Sequence, residues 1–210
     1  MATYVLVHGS WHGGWCWRLV APLLRAAGHQ TFAPTLTGLA ERAHGPYGRI
    51  SLATHVKEVA DLLFYEDMSN VVLAGHSYAA MVITGVAATR PERLSLLVYL
   101  DAYIPSPGQS EFDLWPTEEQ MTTRRNIAAG NAFRPPVAPS VLGVNHPAVA
   151  RWVSARMTPH PLTTYEDAVP GDSAGSAALP RIYIHCTTTT GRSPSALPSL
   201  RRRRGRAAGQ

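Results

Sequence analysis

Lysine is nearly missing from this chain: of 19 basic residues, only Lys57 is a lysine. Cysteine is almost as scarce, with Cys16 and Cys186 far apart and in no CxxC or Cys/His ligand spacing. A disulfide framework and a zinc site are therefore both unexpected, and two buried free thiols are expected instead. No window approaches the roughly 18 uninterrupted apolar residues of a membrane helix, so no membrane partner is expected. The opening MATYVLVHGSWH has no basic leader and its apolar run ends at Val7, unlike a signal peptide, which points to a cytoplasmic location. Neither a phosphate-cradling glycine loop, a dinucleotide fingerprint nor a metal-ligand cluster occurs, so no cofactor and no metal are expected.

Acids also run out before the end. Residues 187–210 hold six arginines and no Asp or Glu, which leaves a net −1 on residues 1–186 against +5 for the whole chain. Basicity confined to a low-complexity tail predicts salt-sensitive, non-specific attraction to polyanions and no specific nucleic-acid partner. That tail, TTTTGRSPSALPSLRRRRGRAAGQ, has neither helix nor strand periodicity and is expected to be disordered.

What the first 186 residues do have is alternation of strand and helix patterns. Tyr4–His8 reads as a buried strand, and the amphipathic stretch after it places Leu19, Leu23 and Leu24 on one face, with Gly28 as its stop. A short strand runs up to Pro34. Ser51 is the expected N-cap of a helix that turns Val56, Val59, Leu62 and Leu63 inward and carries Glu58 to favour its dipole. Asn70–Ala74, then a helix from Ser77 to Arg90, then a strand ending near Asp101 continue the pattern. Apolar strands without alternation, separated by helices, predict an α/β fold with an open, doubly wound, mostly parallel sheet. At 210 residues one domain suffices. Residues 105–180 are rich in Pro, Gly and Ser, with one helical piece near Val149–Met157, and are expected to form a lid inserted in the 1–186 core. RIYIHC, Arg181–Cys186, returns as a strand, and an unpaired apolar edge there is a template for a homodimer.

The stretch VVLAGHSYAAMV, Val71–Val82, carries the chemistry. A serine flanked by the small residues Gly75 and Ala79, between a strand and a helix, is the context of a nucleophile elbow, in which a tight turn lifts Ser77 Oγ to the C-terminal edge of a parallel sheet. The helix N-terminus beneath it favours developing negative charge. The second part of such a site is a loop donor after an early strand, and HGSWHGGW lies there.

Together, YVLVHGSWHGGWCW, VVLAGHSYA and LVYLDAYIP resemble the α/β-hydrolase family, in the branch of plant hydroxynitrile lyases and methylesterases with their bacterial esterase relatives. The resemblance implies a serine hydrolase with Ser77 as nucleophile, backbone donors at Ser10 and Tyr78 as oxyanion hole, and a structural role for His12. It covers roughly residues 3–186. In the family an acid follows the strand that RIYIHC resembles, and a histidine lies beyond a further strand. Here TTTT, within a residue of Thr189, fills the acid's place, and no histidine follows His185. Four explanations stay open: a truncated or frame-shifted ending, a rebuilt site with Asp101 as acid and His160 or His185 as base, a partner chain that completes the site, or a small-molecule binder that has lost its chemistry. Gly9 stands where the lyases carry a threonine and Lys57 is not in the lid, so an esterase is expected over a lyase. Trp11, Tyr103 and Trp115, with Tyr78, Phe112, Phe133 and Trp152, are candidates to line a pocket for a small hydrophobic or aromatic ester.

Overall fold

The structure, a computed structural model, describes residues 1–45, 50–171 and 174–186. The tail at 187–210, including the position near Thr189, lies outside the described residues.

Five strands build one sheet in the order β2-β1-β3-β4-β7, every neighbouring pair parallel: β1 Thr3–Val7, β2 Gln30–Phe32, β3 Val71–His76, β4 Leu94–Leu100 and β7 Arg181–Ile184. Helices cover both faces, α1 (Val20–Ala26) on one and α2 (Leu52–Tyr65) with α3 (Ala79–Thr89) on the other. α3 is buried on almost every side, which accounts for its unbroken AAMVITGVAA composition. Val5, Val7, Leu73, Leu97 and Tyr99 meet Val56, Val59, Leu63 and Ile83 in the main core.

Ser51 caps α2 as expected. Its Oγ accepts the Thr54 N–H at 3.1 Å, and Thr54 Oγ1 accepts the Ser51 N–H at 3.2 Å, a reciprocal pair that satisfies two orphan donors. Glu58 does other work than complementing the helix dipole, because it sits in the second turn, beyond the reach of that effect. Its carboxylate accepts the N–H and the hydroxyl of Thr37 and pairs with Arg42 at 2.7 Å, clamping the segment after β2.

The three leucines expected on one face are split, and only Leu24 turns inward. Trp17, Ala21 and Leu24 form the inward stripe against Leu6 and Ala74, which leaves Leu19 and Leu23 on the opposite side, 70% and 71% exposed. The cause is the 3₁₀ turn at Gly14–Trp17, which presents the large Trp17 to the sheet and sets the phase of the helix behind it. Among the described residues neither Cys16 nor Cys186 is in a disulfide, and both are half-buried, not fully buried, with Cys16 pushed up to about 12 by burial.

The cap between β4 and β7 holds more regular structure than its composition suggests: α4 (Thr117–Ala128), the antiparallel pair β5 (Phe133–Arg134) and β6 (His160–Pro161), α5 (Pro147–Ser154), α6 (Thr163–Glu166) and α7 (Ala174–Ala178). Its own apolar cluster is small, Val153 and Met157 with Trp152, Val137 and Leu142, and it closes on Trp11 of the core loop. Among the described residues β7 is a sheet edge, with Ile182 and Ile184 each 48% exposed. No helix of the described residues is long and apolar enough to cross a membrane.

Candidate active site

Ser77 sits between the last residue of β3 and the start of α3 with φ +52°, a conformation that a side chain with a Cβ rarely takes. The turn is held from both sides: the Ser77 N–H donates to the Leu100 carbonyl at 3.2 Å, and the Ser77 carbonyl accepts the Ala80 N–H at 3.0 Å. Gly75 is required by close approach, since a Cβ there would stand 2.8 Å from the Ala79 carbonyl oxygen and 3.1 Å from Ile83 Cγ2. Overpacking against backbone costs about 1–3 kcal/mol, so Gly75→Ala is expected to lower the unfolding free energy by that amount, read as a lower urea midpoint with an unchanged slope.

The loop after β1 lies directly on this turn. A Cβ on Gly9 would meet His76 Nδ1 at 3.0 Å and Ser77 Cβ at 3.1 Å, so the backbone at Gly9 and Ser10 runs beside the serine. Ser10 is buried, and Trp11 takes φ +65° as the loop turns. Trp11 of this loop is tied to the cap by two hydrogen bonds: its carbonyl accepts the Thr158 N–H at 3.0 Å, and its Nε1 donates to the Arg134 carbonyl at 3.2 Å. His12 Nδ1 donates to the Ser10 carbonyl at 2.6 Å, the structural role expected of it.

Three buried imidazoles underlie the site, and the partners of each fix its neutral tautomer. His8 donates from Nδ1 to the Gly9 carbonyl (2.9 Å) and accepts the Leu36 N–H at Nε2 (3.0 Å); burial holds it down to about 3. His55 donates from Nε2 to the Thr37 carbonyl (2.9 Å) and therefore accepts the Tyr78 hydroxyl proton at Nδ1 (2.8 Å). His160 donates from Nε2 to Thr164 Oγ1 (2.9 Å), whose own proton goes to the Pro161 carbonyl, so the bare Nδ1 of His160 is left buried without a partner. Desolvation keeps His55 and His160 below the usual imidazole range. Burial likewise brings His76, next to the serine, down to about 4.

Asp101 directly follows β4, the strand beside the serine's own, with φ +43°. Its Oδ1 stands 3.4 Å from His185 Nδ1 and accepts the Cys186 N–H at 3.3 Å. Of the two histidines considered with Asp101, the structure thus pairs His185 with it, while His160 packs against Tyr78, Tyr165 and His55. No imidazole among the described residues hydrogen-bonds Ser77 Oγ. Nor do the described residues gather three His, Cys, Asp or Glu as metal ligands.

The aromatic candidates separate. Trp11 and Trp115 are each 8% exposed and are joined by Arg134, whose guanidinium lies 5.3 Å and 4.5 Å from their ring centroids. Tyr103 is half-buried just beyond β4. Trp152 is sandwiched by Arg18 and Arg156, each at 4.1 Å, and Phe133 is largely exposed. Arg134 also pairs with Glu119 at 2.5 Å and lines a cavity of about 760 Å³ between α4 and the chain at Phe133–Val137, which Ser77 does not line. Sequence reasoning missed Arg134, Glu111 and Tyr165. Tyr165 is fully buried, stacks on His160, packs tilted against Trp115, and donates its hydroxyl proton to Ser10 Oγ at 2.8 Å.

Comparison with known proteins agrees with the fold. A family profile described as the Alpha/beta hydrolase family matches residues 4–209, beyond the point where the motifs quoted above end. The chain is 39% identical over 194 residues to a carbendazim hydrolyzing esterase of Nocardioides sp. (strain SG-4G), spanning 88% of this chain and 79% of that protein. It is 34% identical over 109 residues to Methylesterase 1 of Arabidopsis thaliana, spanning 51% of this chain and 41% of the relative. Among solved structures, an extracellular alpha/beta-hydrolase from a Paenibacillus species superposes with a TM-score of 0.76 at 26% identity, over 87% of this chain and 76% of that one.

Proposed function

The chain belongs to the alpha/beta hydrolase family, and from that premise we propose that it is a serine hydrolase of carboxylesterase type that acts through Ser77 on a small hydrophobic or aromatic ester. The observation that carries this reading is the φ +52° turn of Ser77 at the C-terminal edge of the parallel sheet, with the Gly9–Ser10 backbone in contact with it. Ser77 Oγ attacks the ester carbonyl carbon. The oxyanion accepts the N–H groups of Ser10 and Tyr78, and the alcohol leaves with a proton, forming an acyl-serine that water cleaves. The similar proteins named above include an esterase and a methylesterase, which supports ester cleavage as the reaction class. Trp11, Tyr103 and Trp115, on the loop, beyond β4 and in the cap, are the residues proposed to shape the acyl pocket.

Proton handling is the weak part of the machine. Asp101 and His185 are proposed as its acid and base, at the ends of β4 and β7, one and two strands from the serine's own, and Ser77 Oγ has no imidazole partner among the described residues. A site that relies on its oxyanion hole and on binding retains about 10³–10⁴-fold acceleration over water, far below a complete triad. Slow turnover is expected. The same missing contact favours a second reading, a binder of small esters without turnover.

A fluorophosphonate probe decides between the two. The full chain is expected to be modified at Ser77, as mapped by peptide mass spectrometry, and to hydrolyse p-nitrophenyl acetate slowly. An unmodified Ser77, with a rise in melting temperature on adding a non-hydrolysable ester analogue, would favour the binder.

A further inference from the structure

Both residues that offer oxyanion N–H groups are anchored through their side chains, and one anchor comes from the cap. We propose that Tyr165 is a positioning residue: by donating its hydroxyl proton to Ser10 Oγ it holds the Gly9–Trp11 loop so that the Ser10 N–H points at the oxyanion. This rests on the reading of Ser77 as nucleophile.

Tyr165 is built to be immobile. Its ring stacks at 4.6 Å on His160 (28° between planes), packs at 4.9 Å on Trp115, and stands edge-on to Tyr78 at 5.6 Å. The neighbouring turn of chain is fixed as well, because Thr164 Oγ1 bonds both His160 and the Pro161 carbonyl. The hydroxyl thus arrives at Ser10 from a rigid platform 155 residues away in sequence. Its proton is committed to Ser10 Oγ, so Tyr165 is no proton donor to a substrate, and burial raises its pKa further above the ordinary phenol range. On the other side, His55 of α2 holds the Tyr78 hydroxyl at 2.8 Å. The two donors are therefore clamped from opposite layers of the molecule, cap and sheet-covering helix, and the cap sets the relation between them.

The loop needs such a tie. Trp11 next to it takes φ +65°, a strained conformation for a bulky residue, and Ser10 is followed by a turn rather than a helix or strand. Removing an oxyanion donor outright costs about 10²–10³ in rate, and loosening it by loss of one anchoring hydrogen bond is expected to cost about tenfold.

The test compares wild type, Tyr165→Phe, Ser10→Ala and the double variant by the inactivation kinetics of a fluorophosphonate, with amide hydrogen exchange of residues 9–12 as a second readout. Tyr165→Phe keeps the stacked ring, and Ser10→Ala removes the same bond from the other end should the tyrosine variant fold poorly. Expected are a tenfold fall in the maximal inactivation rate with the half-saturating probe concentration within twofold, a double variant no slower than Ser10→Ala alone, and tenfold faster exchange of the loop. A residue that merely supports the fold would lower the melting temperature without that split. Unchanged inactivation in Tyr165→Phe, or losses that multiply in the double variant, would overturn the inference while leaving the nucleophile intact. A wild-type chain that is not labelled at Ser77 would sink the nucleophile and the positioning role together.

Discussion

Ser77→Ala removes covalent capture by a fluorophosphonate and brings ester hydrolysis to the level of buffer, while Ser77→Gly is equally inert but more stable than the wild-type chain. The loss of reactivity follows from the loss of the only atom offered at the turn. The gain in stability follows from φ +52°. A residue with a Cβ in that region carries about 1–2 kcal/mol of steric strain, which glycine does not. Glycine gives back about 0.5–1 kcal/mol through the larger entropy of its unfolded state, so the net expectation is a gain of about 1 kcal/mol. For a chain of this size that is a rise of about 2–4 °C in melting temperature by calorimetry, with Ser77→Ala unchanged because alanine keeps the Cβ. A Ser77→Gly variant that melts no higher than Ser77→Ala would mean that the turn is not strained, and the argument from the elbow would go with it.

Strain at a functional turn is also what made this site readable beforehand. Gly75 lacks a side chain because the helix carbonyl at Ala79 comes within 2.8 Å of where its Cβ would be, and that requirement is written locally in AGHSYA. The strands were legible for a similar reason: in a sheet covered on both faces, β3 and β1 must be apolar along their whole length. The capping box at Ser51 and Thr54 is likewise a three-residue signal. What escaped depends on distant partners. α4 was not foreseen because TEEQMTTRRNIA is polar all round and buries only Thr123, so it has no apolar stripe to reveal it. The phase of α1 was set by Trp17 in the preceding 3₁₀ turn, not by the leucines inside the helix. Tyr165 reaches Ser10, and Arg134 reaches Trp11, across more than a hundred residues, and no spacing rule within one element encodes such meetings. Half of the site, the turn and its loop, is local chemistry; the other half belongs to the cap.

Glu111 is the cap residue whose protonation should be felt most. It is 7% exposed, Oε1 accepts Trp115 Nε1 at 3.3 Å, and Oε2 has no partner. Desolvation raises it from the ordinary carboxyl value of 4.5 to about 7, outweighing the Trp115 hydrogen bond and the nearby Arg134 guanidinium, with the Glu119 carboxylate adding to the rise. Between those two values the folded chain holds a proton that the unfolded chain has released, so stability falls as pH rises and the loss is complete above about 7. The full shift corresponds to about 3 kcal/mol. His8 and His76, depressed to about 3 and about 4, act in the opposite sense: they bind protons only in the unfolded chain, and so make stability rise with pH up to the ordinary imidazole value. The wild-type profile is a sum of both slopes, and the difference between Glu111→Gln and wild type isolates one of them, because glutamine keeps the acceptor for Trp115 Nε1 and never ionises. That difference is expected to be near zero at pH 4, to grow through pH 5–7, and to reach about 3 kcal/mol in favour of Glu111→Gln at pH 8, read from urea midpoints at each pH. A difference that is flat across the range would place a charged carboxylate at Glu111 in the folded protein, paired with Arg134 despite its burial.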